Sequence, residues 1–402
     1  MSSALQHAPS DLSKLFGSPV TLPWRRPELK STLVSKPALP GNAIPYVEAV
    51  LSSGWWGYGP VAQRLQSAVE ELYAGRQNAL ATTSCTAAMH LALRCAGVGR
   101  GDEVIVPAFT YVSTAIVAVY AGAKPVFADI DPVTLTISAA SVERVLSKRT
   151  RAIIPMHYAG PATSFDSIRA LAADRKITVI EDAAHAFGSS RDGRPVGASA
   201  DFAAFSFAPT KQIASCNGGM LLFRDPERRT EINQLAFLGL AADTYNRTIA
   251  KGVSPTQHVA RIGHKYKIDD VAAAIALASV ETLDEIVAHR ATLVERYYDH
   301  LERLGEIQLL PRERNAATSW YIMPIRVPEE KRDGLRAYLA ELNVDSTVHY
   351  PNLMEQPAFR DSRGEVPITA RESRRVVSLP LHRHLGLDQV DRICEAVRAH
   401  LG

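Results

Sequence analysis

Residues 177–187 read ITVIEDAAHAF. Thr178–Glu181 has the β-branched character of a short buried strand, and that strand ends in two adjacent acids, Glu181 and Asp182. In parallel sheets ligands bind beyond the carboxyl ends of strands, which makes an acid at that place a candidate ligand group. An aspartate there serves equally well as the cap of the next helix. Both readings stand on these eleven residues alone.

The pattern around this stretch supplies the context. Glu103–Pro107, Pro125–Ile130 and Ala152–His157 have strand character, separated by helical patterns over Val112–Tyr120, Ala139–Leu146 and Phe165–Asp174. Short β-branched runs alternating with helices predict an α/β fold with a mostly parallel central sheet covered on both faces. Ala79–Thr82, inside the otherwise helical Pro60–Leu93, and Phe202–Phe207 and Gly219–Phe223 add three more strands. After Arg261 the pattern changes to consecutive helices, Val271–Ala288 and Arg290–Leu304. A strand at Trp320–Val327 and helices at Asp333–Leu342 and Leu387–Val397 follow. The division this predicts is an irregular arm over 1–45 with a short helix near Leu12–Phe16, a large domain over 46–289, and a smaller α+β domain over 290–402. Tyr46–Leu51 reads as a short helix, and SGWWGYGP (53–60) as a folded loop because of its three glycines and its proline.

Composition narrows the class. A chain of 402 residues, 46% apolar and 22% charged, has ample material for a large core. The net charge of +3 is spread along the chain, with no basic tract that suggests nucleic acid. Cys85, Cys95, Cys216 and Cys394 stand at no metal-ligand spacing and form no disulfide framework. Neither a signal peptide nor a membrane-spanning run is legible, so the expectation is a cytoplasmic enzyme with no metal and no membrane partner.

Two further stretches carry candidate chemistry. In DFAAFSFAPTKQIASCNGG (201–219), Lys211 lies between an apolar strand and a glycine-rich turn. Most lysines are simply solvated; a catalytic one must reach a carbonyl and lose its proton. Ser206, five residues earlier, can donate to a phosphate. In TTSCTAAM (82–89), small hydroxyl residues open a helix. Free N–H groups at a helix start cradle phosphate, and the same residues also make an ordinary cap.

Taken together, the acid, the lysine, the cradle and Tyr111 at a strand end resemble the DegT/DnrJ/EryC1/StrS family of sugar aminotransferases dependent on pyridoxal 5'-phosphate. The resemblance runs from about residue 38 onward. Its carriers are GDEVIVPAFTYVST (101–114), GAKPVFADID (122–131), AIIPMHYAG (152–160), VIEDAAHAFGS (179–189), FSFAPTKQI (205–213) and HYPNLMEQPAF (349–359). It implies the type I, aspartate-aminotransferase-like fold. It also implies that Lys211 bonds the cofactor and later moves protons, and that Asp182 pairs with the ring nitrogen. Tyr111 then lies over the ring and His185 on its hydroxyl side. Ser84, Cys85, Thr86, Ala87 and Ser206 hold the phosphate. A homodimer with shared sites is implied too, in which Lys265, within GHKYKIDD (263–270), reaches the phosphate of the partner subunit in preference to Lys267.

Three residues depart from the family pattern. Cys85 replaces a glycine, and Cys216 and Asn217 replace a Gly-Glu pair before Gly218 and Gly219. The function implied is transfer of an amino group from glutamate or glutamine to a keto-sugar, a nucleotide-linked keto-deoxysugar above all. The alternatives are a cyclitol or pseudo-sugar ketone as acceptor, a sugar dehydratase, and a non-catalytic regulator. Lys211 argues against the dehydratase, since the related dehydratases carry His in its place. Retention of both Lys211 and Asp182 argues against the regulator.

Overall fold

The computed structural model describes residues 31–73, 77–249, 258–313 and 315–402, so the short helix expected near Leu12–Phe16 lies outside the described residues. The strands that matter here are β1 (Asn78–Thr82), β2 (Glu103–Pro107), β3 (Lys124–Ala128), β4 (Thr150–Ile153), β5 (Thr178–Asp182), β6 (Phe202–Ser206), β7 (Gly219–Phe223), β8 (Met323–Arg326), β9 (Arg363–Gly364) and β10 (Val376–Leu379). Eight of them form one sheet in the order β1-β7-β6-β5-β4-β2-β3-β9. β7 runs antiparallel to both its neighbours, and every other pair is parallel. β8 and β10 pair antiparallel in a small second sheet. The chain thus has the type I fold expected of it.

Helices cover the large sheet on both sides, because alternate residues of each strand are apolar on both faces. Helices α1 (Ala43–Ser53), α2 (Pro60–Leu72), α3 (Cys85–Cys95), α4 (Val112–Tyr120), α5 (Ala139–Val145), α6 (Asp166–Ala173), α7 (Arg229–Ala236) and α8 (Asp270–Glu281) belong to this half. On one face Val104, Ile154, Ile180 and Leu221 pack with Met89, Leu91, Ala115 and Ile232 from α3, α4 and α7. On the other, Ala81, Phe205 and Leu222 meet α2 and α8, and Ile105, Ile153 and Val179 meet α5 and α6. Fourth comes a core of α9 (Leu283–Leu301), β8, α10 (Glu329–Glu341), β10 and α11 (Leu387–Leu401), in the later part of the chain.

Two expectations need correction. Ala152–His157 is not one continuous strand. β4 stops at Ile153 and Met156 makes only an isolated bridge with Asp182, because Pro155 has no N–H to offer a ladder. The helix break expected between Ala288 and Arg290 falls at Thr282 instead. The Thr282 hydroxyl donates back to the Ala278 carbonyl at 3.2 Å, and the Thr282 carbonyl accepts from the Ile286 N–H at 3.2 Å to start the next helix. Nothing at His289–Arg290 breaks a helix, so the junction expected at 289/290 lies inside α9. Leu283, at the start of α9, packs against the sheet half, and Leu293 onward packs in the later core. SGWWGYGP is a loop as expected, starting from Gly54, which ends α1 at φ 72°. Among the described residues, no helix is long and apolar enough to cross a membrane, and no cluster of three His, Cys, Asp or Glu is placed to hold a metal ion.

Candidate active site

Along β5 successive side chains point to opposite faces. Glu181 therefore turns toward α6, where it accepts from Arg169 Nη1 at 2.8 Å and the Gly197 N–H at 3.1 Å, with His157 Nε2 at 3.1 Å. It is a structural acid with a full set of partners. Asp182 turns the other way, toward α3 and α4, into a cavity of about 440 Å³. Ser84, Cys85, Thr86, Tyr111, His185, Ser206 and Lys211 line that cavity with it, brought there by the carboxyl ends of β1, β2, β5 and β6. Ala87 stands apart: it does not line the cavity, and its N–H donates to Ser84 Oγ at 3.0 Å, which makes it part of the helix cap.

Asp182 is buried, and burial pushes its carboxyl above the usual range. The Thr114 hydroxyl, which donates to Oδ2 at 2.7 Å, the Ala184 N–H, which donates to Oδ1 at 3.1 Å, and the charge of Lys211 all pull it back. Among the described residues no cation forms an ion pair with it. A buried carboxylate without a cationic partner is costly, and a protonated ring nitrogen delivered into the cavity would relieve that cost.

Lys211 Nζ lies 3.7 Å from the centre of the Tyr321 ring, in the geometry of a cation–π contact. Burial pushes the Tyr321 phenol up, but the Lys211 charge and hydrogen bonds from Thr210 and Lys211 outweigh it and leave the phenol below its ordinary value. Arg290, buried on α9, holds this segment by donating from Nη1 to the carbonyls of Trp320 and Tyr321, each at 3.1 Å. The His185 ring lies 4.2 Å from the Tyr321 ring, tilted by 42°, and its Nε2 lies 2.8 Å from the Tyr350 hydroxyl. Its Nδ1 accepts from the Ala159 N–H at 3.3 Å, which puts the ring proton on Nε2. Burial, and after it the charge of Lys211, holds His185 well below the ordinary imidazole value, so the ring is neutral. His349 is held down to about 4 by the same two causes.

In the same cavity α3 begins with Ser84 as its cap, leaving the Cys85 and Thr86 N–H groups directed past the helix start. The backbone there is closely approached by β7. A Cβ on Gly219 would stand 2.5 Å from Cys85 N and 2.7 Å from Phe205 O, so only glycine fits. The Cys85 side chain is turned down toward the sheet, with Sγ 3.4 Å from Ala204 O and 3.9 Å from Asp182 Oδ1. Burial and the Asp182 charge push that thiol well up, so it is uncharged. Ser206, half-buried, lines the same cavity as this helix start and Lys211. A site for an anion at the helix start and one for a ring beside Asp182 therefore share one cavity.

Several residues of the site carried no legible signal. Thr114 lies within a quoted stretch, but its role appears only once α4 places it over Asp182. Tyr321 lies in the expected strand Trp320–Val327, and His349 and Tyr350 open the quoted HYPNLMEQPAF stretch, but nothing in the sequence gives any of the three a role of its own. Lys265 is exposed and does not line its own cavity. Lys267 is buried in an ion pair with Asp243 at 2.7 Å and lies over the Tyr58 ring at 4.1 Å, so of the two only Lys265 is available to a neighbouring molecule.

Residues 38–398 match the DegT/DnrJ/EryC1/StrS aminotransferase family. Among solved structures, the chain is similar to the aminotransferase TlmJ from Streptoalloteichus hindustanus, at 30% identity and a TM-score of 0.85, over 92% of this chain and 99% of that one. It is also similar to the putative sugar aminotransferase Spr1654 from Streptococcus pneumoniae. The PMP form gives 28% identity and a TM-score of 0.85 over 91% of this chain and 98% of that one. The PLP form gives 27% identity and a TM-score of 0.85 over 92% and 98%.

Proposed function

Since the chain belongs to the DegT/DnrJ/EryC1/StrS aminotransferase family, we propose that it binds pyridoxal 5'-phosphate in the Asp182–Lys211 cavity and moves an amino group from glutamate or glutamine to a keto-sugar, most typically a nucleotide-linked keto-deoxysugar. The observation that carries this reading is Asp182, buried and, among the described residues, without a cation in an ion pair, sharing one cavity with Lys211. When bound, pyridoxal phosphate supplies an electron sink and a carrier for the amino group. The residues of the chain do the rest. Asp182 holds the ring nitrogen, and Ser84, Ser206 and the N–H groups of Cys85 and Thr86 hold the phosphate. Lys211 anchors the group, and its Nζ takes and returns a proton. Neutral His185 offers its Nε2 proton to a ring oxygen or to Tyr350. Tyr111, which is exposed and lies 6.1 Å from Tyr350 between ring centres, closes the solvent side.

The lining supports a hydroxyl-bearing sugar or cyclitol ring at the reacting end of the acceptor. Besides Lys211 it offers phenols, imidazoles and the Asn217 amide, and among the described residues no arginine lines it. A keto-sugar or cyclitol ring, with an apolar face and a rim of hydroxyls, suits such a surface. The test is incubation of the loaded protein with glutamate or glutamine and a panel of nucleotide-linked keto-sugars and cyclitol ketones, read by product mass. Amination of a keto-sugar is the expected result; amination of cyclitol ketones alone transfers the assignment to that class, and no aminated ring product at all refutes it. Borohydride reduction and peptide mapping test the anchor: the cofactor mass belongs on the peptide bearing Lys211, and its appearance on another lysine overturns the assignment.

A further inference from the structure

Asp182 is held by Thr114 of α4, which is joined in turn to Thr110, just before the helix start. Thr110 Oγ1 lies 2.8 Å from Thr114 Oγ1, and Thr114 Oγ1 lies 2.7 Å from Asp182 Oδ2. Both hydroxyls and the carboxylate are buried. A hydroxyl has a single proton to give. An ionised carboxylate only accepts, so Thr114 gives its proton to Asp182 and presents its lone pairs to Thr110. Thr110 also lies 2.9 Å from Met156 Sδ, but a thioether is the weaker acceptor, so its proton belongs on Thr114. The chain of donors therefore has one direction, Thr110 to Thr114 to Asp182. Hydrogen bonds in series polarise one another and favour charge at the accepting end.

We propose that Thr114, oriented by Thr110, is a positioning residue that keeps the Asp182 carboxylate ionised and aimed into the cavity. This rests on the reading that Asp182 faces the ring nitrogen of the cofactor. The relay acts before any ligand arrives: Lys211, His157, Cys85 and Tyr350 are the other titratable groups felt by or facing Asp182, and none of them donates a short hydrogen bond to it. Thr114 is close in shape to valine, so its hydroxyl can be removed with little change in packing.

The experiment loads wild type, Thr114→Val, Thr114→Ser, Thr110→Val and Asp182→Asn with pyridoxal phosphate labelled with nitrogen-15 in its ring, and reads the ring nitrogen by NMR at one neutral pH. Cofactor affinity is measured alongside by equilibrium dialysis. In wild type the signal belongs at the protonated position. Thr114→Val should move it toward the unprotonated position and weaken cofactor binding about tenfold, the scale of one hydrogen bond to a charged group. Thr114→Ser should restore both. Thr110→Val should shift the signal the same way by less, and it is the variant to read if Thr114→Val does not fold. A Thr114→Val signal identical to wild type, beside a clear shift in Asp182→Asn, overturns the relay and leaves the reading of the site intact. An Asp182→Asn signal identical to wild type overturns the placing of Asp182 and the relay with it.

Discussion

Asp182 is the residue on which the site turns. Asp182→Asn keeps the shape and removes the charge, so the fold should persist while turnover falls by at least about 100-fold, the scale of one lost electrostatic contact at a reacting group. Steady-state rates at full cofactor loading check this, and a near-wild-type rate would remove Asp182 from the chemistry. Its neighbour Glu181 shows why the pair was ambiguous in the sequence. Two adjacent acids at a strand end look alike on paper, and the alternation of the strand sends one to Arg169 and the other to the cavity. Lys211 was legible because a lysine between an apolar strand and a glycine turn breaks an ordinary pattern, and Ser206 because it is a hydroxyl at the end of that strand. Thr114 was not, since a threonine in an apolar helix has no local signature and its hydroxyl acquires a partner only through packing. Cys85 was read as a departure; in the structure its thiol fits under the helix start, against Ala204 O.

At the scale of elements, the strands and helices from β2 to β7 were legible because period and propensity agree there. Val112–Tyr120, Glu103–Pro107 and Gly219–Phe223 have the boundaries expected. The break at Thr282 was hidden, since it lies in an unbroken helical pattern and depends on where two cores meet rather than on a glycine or proline. β9 and β10 are short pieces whose strand state comes from the edges they find. The junction most sensitive to sequence is the crossing of β7 under α3. Gly219→Ala would place a methyl group against the Cys85 and Phe205 backbones, neither of which can swing aside. We expect a destabilisation on the order of 3 kcal/mol from overpacking, with cofactor affinity falling as α3 is displaced. Urea denaturation of the cofactor-free protein and dialysis of the loaded one measure the two effects; an unaltered midpoint would show that the crossing can relax.

At the scale of the whole molecule, we expect a homodimer in which Lys265 completes the phosphate site of the partner. Mixing Lys211→Ala with Lys265→Ala after mild dissociation should recover activity, up to about half of wild type per mixed dimer, because one of its two sites inherits neither defect. If Lys265→Ala alone is nearly inactive at limiting cofactor and the mixture shows no recovery, Lys265 does not act across subunits. Stability should also depend on pH in a definite direction. His185 and His349 have folded values below the unfolded one of about 6.5, so below that pH the unfolded chain binds protons the folded chain refuses. Each costs up to about 1.4 kcal/mol per pH unit as the pH falls toward 5. Asp182, raised by burial, works in the opposite direction, but His90 and His382, each held down to about 4 chiefly by burial, act with the other two, so the four histidines together set the sign. Urea midpoints at about pH 7, 6 and 5 should fall in that order; a flat series would mean the histidines take up protons in the folded state as easily as in the unfolded one. The sheet order has one more consequence, for the growing chain on the ribosome. Among the described residues β1 pairs with β7 and makes one further bridge, from Thr82 to Lys267, so an edge made early must wait for partners translated much later. The pocket waits longer still, until Tyr350 has emerged. A nascent chain can therefore assemble most of its core with no complete place for the proposed cofactor, whose capture we expect at the end of folding rather than at its beginning.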